Sequence, residues 1–290
     1  MPSKKNTDAE AGRACALTDL LSGAPEPTDR ERVGKYVRAL AEHGCSVLLI
    51  QPGTKLPADM RSSAQRRQRT RDYESVKGGE AAESKLRGGG VYQATTDTAT
   101  LDGYMRQYVG QYGTGCAVNV AVNTGRSRLV VVDADTAEQV KAFRCDAQAE
   151  GDEVGPATVE TPGAVNPTTG ETVHSDGGHW YFTVPEGVEL PRNLGELTDP
   201  EGGYAVFWGE GRYVLTPPSR RPEGDYRTTG EVRELPGWLA DRITDTGRRR
   251  AERRTRSREQ LDAADDGSMF TNIRRWGAED ITWDEILSGT

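Results

Sequence analysis

The sequence predicts an α+β domain built on an antiparallel or mixed sheet. Short apolar runs such as Ser46–Ile50 have the length and composition of strands. Other segments repeat apolar residues at helical spacing, as Val33, Tyr36, Val37 and Leu40 do. The two kinds of segment mix without the strict strand–helix alternation of a parallel α/β fold, and no sequence repeat is visible.

The first helix is predicted to start at a capping box, with Thr28 as N-cap and Glu31 returning to it, and to end at Gly44. The other predicted helices are Thr98–Tyr112, Thr136–Ala149 and Pro236–Ile243. After Ser46–Ile50, the predicted strands are 117–122, 128–132, 157–160, 179–184, 204–208 and 212–215. The last two strands are predicted to form a hairpin around Gly209-Glu210-Gly211.

Composition divides the chain into three predicted parts. Residues 1–25 are polar and rich in Ala and Gly, which predicts a flexible tail. Residues 26–243 form the domain, and within them residues 58–95 are charged and glycine-rich, as in a mobile insertion. Residues 244–290 are predicted to be an arginine-rich helix or linker followed by an acidic tail that could dock on a partner.

Composition also excludes several classes of protein. No window approaches the ~18 consecutive apolar residues of a membrane span. Met1–Glu10 is polar and no apolar segment follows it, so no secretory signal is expected. Four cysteines lie far apart without a CxxC pair, which argues against a zinc ribbon or a disulfide scaffold. Reduced thiols and a cytoplasmic location are therefore predicted.

The net charge of −8 hides two basic tracts. Residues 61–71 carry five arginines and no acid, and residues 248–258 carry seven arginines and one Glu, which leaves −19 on the remainder. Arginine binds phosphate through a planar fork, so both tracts are candidates for contact with nucleic acid. A solvated helix face or a linker explains each tract equally well. The candidate residues are Arg66, Arg67, Arg69, Arg249 and Arg253.

The strongest local signal is the apolar run Leu129–Val132, which ends in Asp133-Ala134-Asp135. Two carboxylates at positions i and i+2 of a strand point to the same face. A hard divalent cation such as Mg²⁺ or Mn²⁺ is the usual way to hold such a pair together. The alternative is that Asp135 caps the following helix.

Two further segments carry candidate residues. His179 opens an apolar strand directly after Gly177 and Gly178, and glycines at such a place allow a backbone to approach a ligand closely. His179 could donate to a phosphate, although a strand histidine is more often structural. Farther along, Gly211–Leu215 runs into a Pro-Pro turn that presents Ser219 and two arginines; the alternative is a turn without function.

In this order, the motifs resemble the bifunctional DNA primase/polymerase (prim-pol) family of the archaeo-eukaryotic primase superfamily, as found in phages and plasmids. The resemblance spans roughly residues 30–240. Its matching pieces are GCSVLLIQPGTKLP (44–57), NVAVNTGRSRLVVVDAD (119–135), TVETP (158–162), GGHWYF (177–182) and GRYVLTPPS (211–219).

The resemblance implies a template-directed DNA primase/polymerase, a nucleotidyltransferase of phage or plasmid replication. It implies an RRM-like core packed against a small subdomain, Mg²⁺ or Mn²⁺ on Asp133 and Asp135, and His179 on the triphosphate. The implied partners are a single-stranded DNA template, ribo- or deoxynucleoside triphosphates and no membrane, in the cytoplasm of a bacterial host. The residues expected to bind nucleotide are Lys55, Gly125, Arg126, Ser175, Gly177, Gly178, Ser219 and Arg220.

The sequence departs from the family pattern in places. A third metal-binding acid is expected near Val206, and Glu210 would fill that role only in a shifted register. The loop between Pro162 and Gly177 is longer than usual, and no zinc-binding set is present. The segment ITWDEILSGT (281–290) resembles the family's connection to a helicase, which predicts a replicative helicase in trans or as a missing fused domain.

Two other functions remain open at this stage. The missing third acid is compatible with a prim-pol-derived protein that binds single-stranded nucleic acid or nucleotides without catalysis. A metal-dependent nuclease is also compatible, since paired carboxylates serve hydrolysis as well.

Overall fold

A computed structural model provides the fold. It describes residues 4–62, 64, 90–165, 168–169, 172–174, 177–191, 196–198 and 203–263. The α-helices in this part of the chain are α1 (Lys4–Ser22), α2 (Arg30–Glu42), α3 (Thr98–Tyr112), α4 (Ala137–Ala149) and α5 (Gly237–Ala263), with a short 3₁₀ helix at Gly90–Gln93.

The strands are short, and most belong to two separate sheets. In chain order they are β1 (Val47–Ile50), β2 (Asn119–Asn123), β3 (Leu129–Ala134), β4 (Val159–Glu160), β5 (Ala164–Val165), β6 (Thr172–His174), β7 (Gly178–Thr183), β8 (Glu196–Thr198), β9 (Ala205–Phe207), β10 (Tyr213–Thr216), β11 (Arg220–Arg221), β12 (Gly224–Asp225), β13 (Arg227–Thr228) and β14 (Arg233–Glu234).

One sheet has three strands in the order β1-β2-β10, and the other has seven. The larger sheet runs β13-β4-β7-β3-β9-β8, and β14 also pairs with β7. Strands β5 and β6 pair with each other, as do β11 and β12. This mixture of helices and largely antiparallel strands confirms the α+β class.

Neighbouring strands in the sequence cross between the two sheets. Strand β2 belongs to the small sheet, whereas β3, which follows after a short turn, belongs to the large one. The predicted hairpin of 204–208 with 212–215 is wrong for the same reason: β9 pairs with β3 and β8, while β10 pairs with β2. A short loop suggests a hairpin, but the choice of partner strand depends on packing that a local pattern does not contain.

The alternation of side chains along β3 divides the large sheet into two faces. Leu129 and Val131 point into the main core together with Tyr181 of β7 and with residues of β1, β2 and α2. Val130 and Val132 point to the opposite face, where Phe143 of α4 supplies aromatic packing. Asp133 continues the first row, so its side chain lies on the core-facing side of the sheet.

Residues 1–25 are not a flexible tail over the part that forms α1. Leu17 and Leu21 of this helix are each 1% exposed and belong to the core. The Arg13 guanidinium donates to the carbonyl of Ser127 at 2.6 Å, and Thr18 Oγ1 accepts from the backbone N–H of Val232 at 2.9 Å. The apolar spacing Ala14, Leu17, Leu21 is the signal that could have predicted this docked helix.

The predicted insertion at 58–95 lies mostly outside the described residues. Its described ends are packed rather than mobile, because Ala58, Met60 and Ala94 are buried. Gln93 joins them: its side-chain amide donates to the carbonyl of Ala58 at 3.1 Å and accepts from the backbone N–H of Met60 at 2.8 Å.

Two helix boundaries refine the predictions. Helix α2 is capped by Asp29, which accepts from the Arg32 N–H at 3.1 Å, so Thr28 is not the N-cap. The helix predicted at 236–243 continues to Ala263 and includes the tract 248–258. The chain divides into two compact units, residues 1–241 and 242–290.

Arg249 is exposed on α5, while Arg66, Arg67 and Arg69 lie outside the described residues, as does the side chain of Arg253. The acidic tail predicted to dock on a partner also lies outside them. Within the described part of the chain, none of the helices has both the length and the apolar character needed to cross a membrane.

Candidate functional site

The pairing of β3 with β7 brings two of the predicted catalytic residues together. Asp133 is directly opposite His179 in the antiparallel register. Asp133 Oδ1 and His179 Nε2 are 3.3 Å apart, and His179 is only 7% exposed. The His179 Nδ1 atom is buried and has no hydrogen-bond partner. The end of β3 therefore combines a carboxylate with an imidazole that retains one unused nitrogen.

The two glycines before His179 make this pairing possible. A Cβ on Gly177 would lie 2.9 Å from the carbonyl oxygens of Ala134 and Asp135, and one on Gly178 would lie 2.4 Å from Ala157 Cβ. The sequence predicted that these glycines let the backbone approach a ligand closely. In the structure, the atoms that come close to them belong to the protein itself. Both residues act in packing: a side chain at position 177 would push β7 away from the end of β3, and one at position 178 would push it away from Ala157.

Asp135 does not cap the following helix. Thr136 is the N-cap of α4 and its hydroxyl accepts from the Gln139 N–H at 3.3 Å. The backbone N–H of Asp135 donates to the side chain of Gln139 at 2.6 Å. The alternative structural role considered for Asp135 is therefore filled by its neighbour.

Tyr226 is a buried phenol near the Asp133 end of β3. Burial raises the pKa of this phenol to about 12, the Arg221 guanidinium that hydrogen-bonds to it lowers the pKa, and the charges of Asp133 and Asp135 raise it. The Tyr226 ring lies 6.2 Å from the His179 ring between centroids. Tyr226 therefore lies near the end of β3 at which Asp133 is opposite His179.

The expected third acid is absent from the adjacent strand. Ala205 of β9, rather than Val206, is opposite Asp133. Val206 is opposite Val132, fully buried, and points to the other face of the sheet, so the expectation that placed an acid position near Val206 used the wrong register.

Glu210 does not replace it. The carboxylate is 62% exposed and lies 3.7 Å from the Arg126 guanidinium, while its backbone carbonyl accepts from Asn123 Nδ2 at 2.6 Å. Because Phe207 is already opposite Val131, the chain at Glu210 has passed toward the start of β3. That end is about 13 Å from Asp133, at ~3.3 Å per residue. Glu210 is therefore wrong as a metal ligand beside Asp133.

The residues present at the Asp133 end fit one divalent cation. Within the described ranges, no group of three or more His, Cys, Asp or Glu side chains is placed to hold a metal ion. Mg²⁺, however, is commonly bound by one or two carboxylates with substrate phosphates and water completing its shell. Asp133 near the end of β3 and Asp135 directly after the strand supply two such carboxylates.

Gly125 and Arg126 lie at the opposite end of β3, away from Asp133. A Cβ on Gly125 would lie 2.5 Å from the backbone nitrogen of Glu210, so the glycine is required by the turn. Arg126 donates to the carbonyl of Ala94 at 3.0 Å. The structure does not bring these two predicted nucleotide-binding residues to the site.

Ser219 and Arg220 are engaged in contacts with the protein itself. The fully buried Ser219 hydroxyl donates to the carbonyl of Val120 and accepts from its N–H, both at 2.8 Å. The Arg220 guanidinium donates to Asp225 at 2.5 Å and to Glu26 at 3.3 Å. These contacts give Ser219 and Arg220 structural roles instead of the predicted role in nucleotide binding.

Lys55 has an exposed side chain, and its carbonyl accepts from the Tyr213 hydroxyl at 2.7 Å. Its loop passes close to the turn at Pro222, since a Cβ on Gly53 would lie 3.8 Å from the ring of that proline. Ser175 lies outside the described residues.

Sequence reasoning chose Arg220 rather than Arg221 of the two arginines after the Pro-Pro turn, and it missed Tyr226 as a candidate residue. Consecutive residues of a strand point to opposite sides, so the pair Arg220-Arg221 could have been expected to serve two different places. Nothing in the local pattern of Tyr226 indicates its position beside the aspartates.

Together, the fold and the site define a two-sheet α+β domain with a carboxylate pair and a histidine at the C-terminal end of strand β3. The chain belongs to the family of the bifunctional DNA primase/polymerase N-terminal domain, whose family model matches residues 37–238. This confirms the resemblance found in the sequence. The search of curated proteins finds no match. Membership supports a general role as a primase/polymerase in DNA replication, with DNA and nucleotides as substrates.

Proposed function

We propose that the protein is a template-directed DNA primase/polymerase that transfers nucleotides at the Asp133 end of β3. The observation that carries the proposal is the register pair of Asp133 and His179, within a chain whose residues 37–238 match the family. A phage or plasmid replication system in a bacterial cytoplasm, with a helicase as partner, is the setting we propose for it.

The carboxylates of Asp133 and Asp135 would hold the divalent cation, Mg²⁺ or Mn²⁺. When bound, such an ion neutralises the two carboxylates and stabilises the negative charge that develops on phosphate oxygens.

The remaining contributions come from the chain itself. His179 Nε2 lies 3.3 Å from Asp133 Oδ1, and this polar contact would help to orient the carboxylate, as partners of metal ligands generally do. The unpartnered Nδ1 would donate to a phosphate only in the imidazolium form, in which both ring nitrogens carry a proton. The buried row of Val131 and Tyr181 behind the pair keeps water from its inner side. The arginine tracts, including the exposed Arg249, would follow the backbone of a single-stranded template.

Incorporation of labelled nucleotides on a single-stranded template tests the proposal directly. The unmodified protein should extend product with Mg²⁺ or Mn²⁺ and lose this activity without metal. Asp133→Ala should abolish incorporation, whereas Asp19→Ala, which removes an exposed carboxylate on α1, should not. If the unmodified protein incorporates no nucleotide with either metal, the proposal is wrong.

One observation favours a second candidate, a single-strand-binding protein without catalysis. Ala205 occupies the position opposite Asp133 on β9, so that strand supplies no third carboxylate. This candidate predicts that Asp133→Ala leaves DNA affinity unchanged and that the unmodified protein incorporates nothing.

A further inference from the structure

Two adjacent arginines on β11 have separate surroundings. Arg220 turns toward Asp225 and Glu26, which lie with Pro25, Pro27 and Pro217 around a cavity of about 220 Å³. Arg221 has none of these partners in the described contacts. Its guanidinium donates to Glu223 Oε1 at 2.9 Å and to the Tyr226 hydroxyl.

Arg221 is a largely buried cation with unused hydrogen-bonding capacity. Its side chain is 15% exposed and that of Glu223 is 17% exposed. Nε of Arg221 and Oε2 of Glu223 are both buried and have no hydrogen-bond partner. A guanidinium carries five N–H donors in a rigid fork, so the contacts with Glu223 and Tyr226 leave others for a ligand.

The register of the β11–β12 hairpin locates Arg221 relative to Tyr226. Arg220 is opposite Asp225, and the Tyr226 N–H donates to the Ser219 carbonyl at 2.9 Å, so Tyr226 is opposite Ser219. Ser219 and Arg221 are two residues apart, which places Arg221 and Tyr226 on the same face of the hairpin. The His179 ring stands 6.2 Å from the Tyr226 ring. Arg221 is therefore connected through Tyr226 to the Asp133–His179 pair, where the phosphates of an incoming nucleotide would be bound.

We propose that Arg221, and not Arg220, binds the phosphate oxygens of the nucleoside triphosphate. This assignment rests on the proposed nucleotidyltransferase function. Glu223 and Tyr226 hold the guanidinium in place, so its planar fork meets an oxyanion without reordering. Arg220 instead joins Glu26, in the segment between α1 and α2, to Asp225 on β12 and has a structural role.

The test measures binding of a non-hydrolysable nucleoside triphosphate by titration calorimetry, in the full chain and with Mg²⁺. Arg221→Gln should weaken affinity by about tenfold or more, since charge-assisted bonds to phosphate are lost. Arg220→Gln should stay within about twofold of the unmodified protein, because its charge-assisted bonds are to carboxylates rather than to the ligand. Arg221→Lys should recover only part of the loss, because an ammonium lacks the fork.

Folding is controlled separately, because Arg221→Gln leaves Glu223 buried without its cation. The double variant Arg221→Gln/Glu223→Gln removes both charges, and thermal unfolding should show it folded. A loss of triphosphate affinity in this folded variant supports the assignment. Unchanged triphosphate affinity, or a loss confined to single-stranded DNA measured by anisotropy, overturns it.

The outcome for the unmodified protein separates this assignment from the function on which it rests. An unmodified protein that binds triphosphate and incorporates nucleotide, with Arg221→Gln equal to it, contradicts only the role of Arg221. An unmodified protein that neither binds triphosphate nor incorporates nucleotide contradicts both.

Discussion

The two ends of strand β3 differ in what their charged groups do. At the start of the strand, Arg126 and Glu210 are paired near the surface and the turn residue Gly125 is closed against backbone. At the other end, Asp133 and His179 are mostly buried, and one imidazole nitrogen has no partner. Buried polar atoms without partners are costly and call for an explanation, which a ligand at the Asp133 end would provide. The comparison therefore favours the Asp133 end as the place of the proposed chemistry.

Replacing an acid at each end is expected to give the largest difference. Asp135→Asn should reduce nucleotide incorporation by about 10²-fold or more, because one of two carboxylates that would hold the cation is lost. Glu210→Gln should leave incorporation within about twofold, since an exposed ion pair contributes little. Initial rates on the same template, at saturating nucleotide, measure both. Equal losses in the two variants would remove the distinction between the ends.

The imidazole is expected to have the next largest effect. His179→Ala should lower incorporation by about 10–100-fold, because outer partners of a metal ligand typically contribute that much. His179→Gln keeps a donor for Asp133 and should recover part of the activity. A measurement of Mn²⁺ affinity by electron paramagnetic resonance accompanies the rates. If His179→Ala changes neither rate nor Mn²⁺ affinity, the Asp133–His179 contact is only structural.

Glycines at the two ends should separate stability from activity. Gly125→Ala and Gly177→Ala each place a Cβ within 3 Å of backbone atoms, so each should cost about 1–3 kcal/mol of stability. Only Gly177→Ala should also lower incorporation at a temperature where both variants are folded, because it displaces β7 and with it His179. Chemical unfolding and rates at that temperature provide the comparison. Activity lost equally in both variants would contradict it.

A smaller effect concerns pH and the pair Arg220–Asp225. The hydrogen bond from Arg220 lowers the pKa of Asp225 below its ordinary value of 3.8. A depressed pKa stabilises the fold above that ordinary value, and the contribution is lost as pH falls through the lower folded-state pKa. Asp225→Asn should therefore lower the free energy of unfolding by about 0.5 kcal/mol at pH 7, a small value because the ion pair is partly exposed. The variant should cost nothing at a pH at which Asp225 of the unmodified protein is protonated.

Denaturant unfolding at neutral and at acid pH measures this difference. Arg126→Gln, at the opposite end, serves as the control, and the cost of losing its hydrogen bond to the Ala94 carbonyl should be about the same at either pH. A cost of Asp225→Asn that persists unchanged in acid would show that the carboxylate charge is not its source.

Local sequence patterns were sufficient to identify Asp133, Asp135 and His179 as candidate residues. An apolar strand that ends in two acids, and a histidine that opens another strand, can be recognised from neighbouring residues alone. Helix α3 was predicted with the bounds that the structure shows, since its periodicity is complete within one segment.

Other features depend on partners distant in the chain. The third acid was expected near Val206, but the residue opposite Asp133 is Ala205, one position earlier. A shift of one residue decides which face of a sheet a side chain occupies. The arginines Arg220 and Arg221 cannot be distinguished until β11 is placed beside Glu26 on one side and Tyr226 on the other. Helix α1 was missed although Ala14, Leu17 and Leu21 have helical spacing, because its polar composition gives no sign that it docks on the core.

The most direct test of the account is nucleotide incorporation and single-stranded DNA binding measured in parallel for the unmodified protein and Asp133→Ala. The account predicts metal-dependent incorporation by the unmodified protein, its loss in Asp133→Ala, and DNA binding retained by both. No incorporation by the unmodified protein with Mg²⁺ or Mn²⁺, with DNA bound equally by both proteins, would contradict it.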